Sequence, residues 1–295
     1  MRKRQSPLVR DTDTGNLLEL LMVVAVATIL INRVILAATG YPQLSPGDLH
    51  IAHMLWGGML MFIALVMLFR YWNPSVRRLA AFFGGMGFGL FIDELGKFIT
   101  DNNDYFYKPT IAVIYVIFIL MYLLFRGFAE KSELSSRELQ VNGNLRRDLG
   151  DLHDTSSKLL KWYDAVKKQF EDSVDRIIAI KGFIPVLMIV FVFLNLTQLG
   201  IIFGVISPGW LPMNDTSGFS IVGIFISGVM VLMGVLVLRR SLHHAFLWFK
   251  RAVLVSIFIT QIFLFYHSQL TAIWGLAVDL LFYAGIENYL GKRLV

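Results

Sequence analysis

Residues 182–206, GFIPVLMIVFVFLNLTQLGIIFGVI, run for 25 residues without one charged side chain. About 20 consecutive apolar residues cross a hydrocarbon core roughly 30 Å thick as a helix. A spanning segment must satisfy its own backbone hydrogen bonds, which an α-helix does within itself. This stretch therefore predicts a transmembrane helix. Comparable apolar runs occupy 17–39, 50–69, 79–100, 109–126, 219–238, 245–266 and 269–289. The expected fold is all-α, a polytopic transmembrane bundle of eight spans. Composition agrees: 56% of the chain is hydrophobic and 16% charged, with a mean hydropathy of +0.63, where a soluble domain carries about 25% charged residues.

The basic residues orient the spans. Arg2, Lys3, Arg4 and Arg10 precede the first span, Arg70, Arg77 and Arg78 follow the second, and eleven Lys or Arg lie between 126 and 181. Arg239, Arg240, Lys250 and Arg251 flank the loop after the sixth span, and Lys292 and Arg293 end the chain. The opposite loops hold only Lys108. Both termini are expected in the cytoplasm, and the pI of about 9.5 follows from topology rather than from nucleic-acid binding. The polar start MRKRQSPLVRDTDTGN is unlike a cleaved signal peptide. The chain has no cysteine, which excludes disulfides and thiolate metal sites.

Three segments emerge: a first four-helix half at 1–126, a cytoplasmic helical insert at 127–181, and a second four-helix half at 182–295. Leu44-Ser45-Pro46-Gly47 after span one matches Ile206-Ser207-Pro208-Gly209 after span five. Phe91-Ile92-Asp93-Glu94 falls opposite Phe258-Ile259-Thr260-Gln261. An even number of helices per half makes such repeats parallel. In the insert, Leu145, Leu149, Leu152, Ser156, Leu159, Tyr163, Val166, Phe170, Ser173 and Ile177 follow a 4-3 spacing. That is the seam of a coiled coil or of an amphipathic helix lying on a partner, with Asn142-Gly143-Asn144 as the expected break before it. A packed amphipathic helix and a homo-oligomer, a dimer, are the two expectations it raises.

Ionisable residues inside spans are costly and mark candidate sites. Span three carries Asp93, Glu94 and Lys97, with Asp101 and Asp104 at its end. Asp93, Lys97 and Asp101 are four apart and share a face with Gly85 and Gly89, a pair that lets another helix approach closely. Asn32 and Arg33 in span one fall at matching depth, and His50 and His53 open span two. Four readings fit the cluster. Arg33 and Lys97 against Asp93 and Glu94 form a buried ion-pair network. Carboxylates and histidines form an ion or proton pathway. His50, His53 and Glu94 form a site for Zn²⁺ or a similar divalent metal, which would permit hydrolysis by metal-activated water. Or the cluster receives a small anion or lipid headgroup. In the second half Asn195, Thr197, Gln198, Thr260, Gln261, Asp279 and Glu287 are the polar residues, with Asp279 mid-span.

Gly84-Gly85-Met86-Gly87-Phe88-Gly89 lacks the Lys-Ser/Thr of a phosphate loop, and His243-His244 among arginines reads as a solvated face. The stretches TGYPQLSPGDLHIAHMLWGG (39–58) and GFGLFIDELGKFITDNNDYFYKP (87–109) resemble a bacterial family of multi-pass membrane proteins. The resemblance covers about residues 15–126. It implies a bacterial inner-membrane location and supplies no activity. The leading functional expectation is transport or ion and proton conduction through the first half. The alternatives are an intramembrane metal-dependent hydrolase, and a sensor or assembly protein acting through its cytoplasmic helix.

Overall fold

The long apolar runs of the sequence become helices in the computed structural model, which describes residues 8–39, 53–100, 107, 109–129, 134–149, 158–180, 183–203, 205, 218–267 and 269–291. The elements are α1 (Thr14–Thr39), α2 (His53–Arg70), α3 (Pro74–Asp93), α4 (Leu95–Ile99), α5 (Pro109–Ala129), α6 (Ser136–Asp148), α7 (Lys158–Ala179), α8 (Phe183–Ile202), α9 (Gly218–Leu238), α10 (Leu242–Val255), a π-helical turn (Ser256–Thr260), α11 (Gln261–His267) and α12 (Gln269–Gly291). No strand occurs among the described residues.

Six stretches are long and apolar enough to cross a membrane: Thr14–Ile35, His53–Arg70, Pro74–Asp93, Pro109–Phe128, Ile221–Leu238 and Leu242–Tyr266. Their length and composition are compatible with an integral membrane protein. The expected fifth span lies on the 20-residue apolar helix α8, and the expected eighth, α12, carries Asp279 and Glu287 within its length. This count is of the described residues alone, by length and composition. Side-chain placement carries the same message. On α2, Gly57 and Ala64 are buried, while Leu55, Phe62 and Phe69 are 68%, 65% and 82% exposed. Small residues face the helix neighbours and large apolar ones face outward, which suits lipid as the surrounding solvent.

The chain divides into two compact units, Met1–Tyr107 with Ile117–Val166, and Lys108–Val116 with Lys167–Val295. In the first, α3 lies against both α1 and α2. Its glycines make this possible. A Cβ on Gly89 would sit 2.6 Å from the Ala25 carbonyl oxygen of α1, and one on Gly87 would sit 2.6 Å from the Gly57 carbonyl oxygen of α2. Gly85 meets the Leu21 carbonyl in the same way. The Gly85/Gly89 face expected to receive a helix receives α1.

The insert differs from expectation. Asn142-Gly143-Asn144 lies inside α6 rather than breaking a helix, because Asn142 is buried and hydrogen-bonded, its Nδ2 donating to the carbonyls of Arg10 (2.9 Å) and Glu138 (2.8 Å). The 4-3 seam is divided between α6 and α7, and Leu152 and Ser156 lie outside the described residues. On α7 the fully buried residue is Leu160, packed with Leu20, Val24, Leu79, Phe82 and Tyr163. Of the seam residues on α7, Leu159, Val166, Phe170 and Ile177 are exposed.

In the second unit, Phe191, Phe249 and Phe282 form the centre of the core, with Phe191 and Phe282 ring centroids 4.7 Å apart. Val231, Ala252, Val253 and Ile286 close around them. Gly234 leaves the room that the Phe249 ring fills.

Candidate functional site

α3 stops at Asp93, and the chain turns at Glu94 (φ −87°, ψ 5°) before α4 resumes at Leu95. The turn is held by the Lys97 N–H donating to the Glu94 carbonyl at 3.0 Å. Asp93 and Glu94 are consecutive and both are 0% exposed. The break sends the two carboxylates to different neighbours.

Asp93 reaches α1. Asn32 Nδ2 donates to its Oδ2 at 2.8 Å and Arg33 Nε to its Oδ1 at 2.7 Å. The depth match expected between span one and span three is thus realised, and Arg33 is the cationic partner. Lys97 turns instead to Glu94 Oε1, at 3.5 Å. The regular i,i+4 register assumed for Asp93 and Lys97 is interrupted by the turn between them.

Glu94 reaches α2. Its Oε1 accepts from the His53 main-chain N–H at 2.7 Å, and the His53 ring Nδ1 lies 3.0 Å from the same oxygen. The first N–H groups of a helix have no intrahelical partner, and the helix dipole favours an anion there. Glu94 therefore caps α2 from a distant part of the chain. Its other oxygen, Oε2, is buried and has no hydrogen-bond partner, and buried polar atoms in this condition are uncommon. His53 is 32% exposed at its side chain against 0% for Glu94. The pair thus links a partly accessible imidazole to a fully enclosed carboxylate.

Of the residues expected at this site, Asn32, Arg33, His53, Asp93, Glu94 and Lys97 come together. His50, Asp101 and Asp104 lie outside the described residues. Two of the three proposed metal ligands, His53 and Glu94, are in contact, and among the described residues no three His, Cys, Asp or Glu side chains converge. His243 and His244 sit edge to face at 5.8 Å, with His244 Nδ1 beside Ser241 Oγ, as a surface pair does.

Two polar groupings were not foreseen. At the start of the first unit, Glu138 Oε1 accepts from Arg10 Nε at 2.8 Å and Oε2 from Arg10 Nη2 at 3.0 Å. Arg146 reaches Asp13, and Arg77 pairs with Asp11. α6 thereby clasps the segment that leads into α1. Ser135 caps α6 in a reciprocal capping box with Glu138. The Arg10 and Ser135 hydrogen bonds hold the Glu138 carboxyl well below the usual range. The sequence signal was present as Ser135-x-x-Glu138. In the second unit Asp279 is 8% exposed and accepts from Ser256 Oγ at 2.7 Å and Gln261 Nε2 at 2.9 Å. Nearby on α9, Ser227 donates to Asn195 Oδ1 at 2.9 Å.

No family model, no curated protein and no solved structure matches the chain.

Proposed function

We propose that the chain is an eight-span membrane protein with both termini cytoplasmic, and that its first unit moves protons or small cations through the His53–Glu94 pair. The observation that carries this reading is the state of Glu94: one oxygen engaged by His53, the other buried without a partner. A group held only for packing is expected to have its hydrogen bonds complete. An unpartnered carboxylate oxygen is a place for an arriving proton or cation. His53 suits the donor role because an imidazole offers both a donor and an acceptor nitrogen. Asp93, locked by Arg33 and Asn32, keeps the counter-charge of Arg33 in place.

The charge distribution supports the topology, with α8 and α12 as the spans that complete eight. The resemblance of residues 15–126 supports a bacterial inner-membrane location. The outward apolar stripe of α7, Val166, Phe170 and Ile177, continues the 4-3 seam and supports a homodimer. The metal-dependent hydrolase is the second reading. It is favoured by the Glu94 contact to Nδ1, since a carboxylate on one ring nitrogen orients the other toward a metal. The test is flux. Purified protein in liposomes with an internal pH dye should dissipate an imposed proton gradient or an opposing cation gradient faster than empty liposomes. Rates equal to empty liposomes for protons and for each monovalent and divalent cation would remove the conduction reading.

A further inference from the structure

The second unit holds a carboxylate that the conduction reading does not use. Asp279 lies within α12, buried, and its two donors come from one irregular turn. An i→i+5 bond joins the Gln261 N–H to the Ser256 carbonyl. A regular α-helix has 3.6 residues per turn, so residues five apart diverge around its axis. The wider π turn brings Ser256 and Gln261 over one another, and both side chains then reach Asp279 Oδ2. Turns of this kind inside α-helices concentrate at functional sites. The same turn turns out the Ile257 carbonyl, which Tyr115 caps at 2.8 Å. Gly275, one turn before Asp279 on α12, leaves the space for the amide: a Cβ there would lie 2.9 Å from Gln261 Nε2.

Two buried polar atoms of this turn have no hydrogen-bond partner. Gln261 is 3% exposed, yet its Oε1 has no donor, and neither has the buried Thr260 Oγ1. Among the described residues no ion pair to Asp279 occurs either. α10 presents Lys250, which is taken by Glu287 two turns further along α12. α5 presents Tyr115, whose hydroxyl is spent on Ile257. α8 and α9 carry no charged residue, and Tyr266 of α11 faces outward. A lone carboxylate enclosed in this way is neutralised by what binds it.

We infer that Asp279, Ser256 and Gln261 form a proton-binding site, separate from the His53–Glu94 pair. A hydronium ion gives its proton to Oδ1, the carboxylate oxygen not held by Ser256 and Gln261, and leaves as water.

Infrared spectroscopy of the full chain in lipid nanodiscs reads this directly. The spectrum of the native chain minus that of Asp279→Asn should contain the carbonyl band of a protonated carboxylic acid. The band should shift in D2O and give way to carboxylate bands at alkaline pH. It should persist in Glu94→Gln, which separates this site from the first, and change frequency in Ser256→Ala, which needs no change of charge to fold. Carboxylate bands alone from acidic to alkaline pH, or an acid band unmoved by Ser256→Ala, would overturn the inference. So would replacement of the acid band by carboxylate bands when sodium is added at constant pH, since the ligand would then be the cation.

Discussion

Glu94 Oε1 receives both the main-chain N–H and the ring Nδ1 of His53, the first described residue of α2, at 2.7 and 3.0 Å. One oxygen thus does two jobs, helix capping and contact with a titratable ring, and substitutions separate them. Glu94→Ala removes the acceptor and leaves a buried N–H unsatisfied, at a cost of about 1–3 kcal/mol. Glu94→Gln keeps an acceptor oxygen, so it should cost well under half as much in unfolding experiments in detergent. Equal losses for the two variants would mean that the cap requires the charge.

Asp93 and Arg33 form the enclosed ion pair of the first unit, with the acid 0% and the guanidinium 18% exposed at the side chain. Breaking a buried pair costs roughly 3–5 kcal/mol, whereas replacing both members can be neutral. Asp93→Asn should therefore destabilise strongly, and Arg33→Met added to it should restore most of the loss. The corresponding double change with Lys97→Met should restore less, because Lys97 reaches Glu94. A double-mutant cycle on thermal unfolding measures the difference.

Gly57 and Gly87 face each other so closely that a Cβ on either would lie 2.6 Å from the other's carbonyl oxygen. Backbone cannot move aside as a side chain can. Gly87→Ala should cost about 1–3 kcal/mol through overpacking. Gly58→Ala, one residue along α2 with nothing within 4 Å, should leave the unfolding temperature unchanged. Similar effects at the two positions would mean that α2 and α3 do not meet through these glycines.

Glu138 sets the acid limit of the α6 clasp. Its folded carboxyl is shifted below the ordinary value by Arg10 and Ser135. The stabilisation is therefore fully present above the unfolded glutamate value of about 4.3 and is lost as pH falls toward the depressed folded value. The stability difference between the native chain and Glu138→Gln should be constant from neutral pH down to about 4.3 and shrink below it. A difference that grows on acidification would have the wrong sign for this clasp.

Much of the first unit was legible because glycine spacing and intramembrane charge have few uses in lipid. Gly85, Gly89, Asn32, Arg33, Asp93 and Glu94 all converge as their spacing implies. The pairing within the cluster was not legible. It depends on the turn at Glu94, and nothing in Ile92-Asp93-Glu94-Leu95 signals that a helix pauses there. Asn142-Gly143-Asn144 misled for a related reason. Its loop-like composition is overridden by a tertiary bond from Asn142 to Arg10, 132 residues away. Asp279 found its partners through the π turn at Ser256–Thr260, an irregularity that apolar periodicity does not record. Asp93-Glu94 and Thr260-Gln261, which fall opposite each other in the sequence, both lie at helix irregularities.

The central claim is that Glu94 takes part in conduction rather than merely holding α2. Proton and cation flux in proteoliposomes, measured for the native chain and for Glu94→Gln on samples whose unfolding temperatures are recorded alongside, tests it most directly. The expected result is a variant of near-native stability whose flux falls at least tenfold, to the level of empty liposomes. Native flux from a stable Glu94→Gln protein would contradict the claim and leave Glu94 as a helix cap alone.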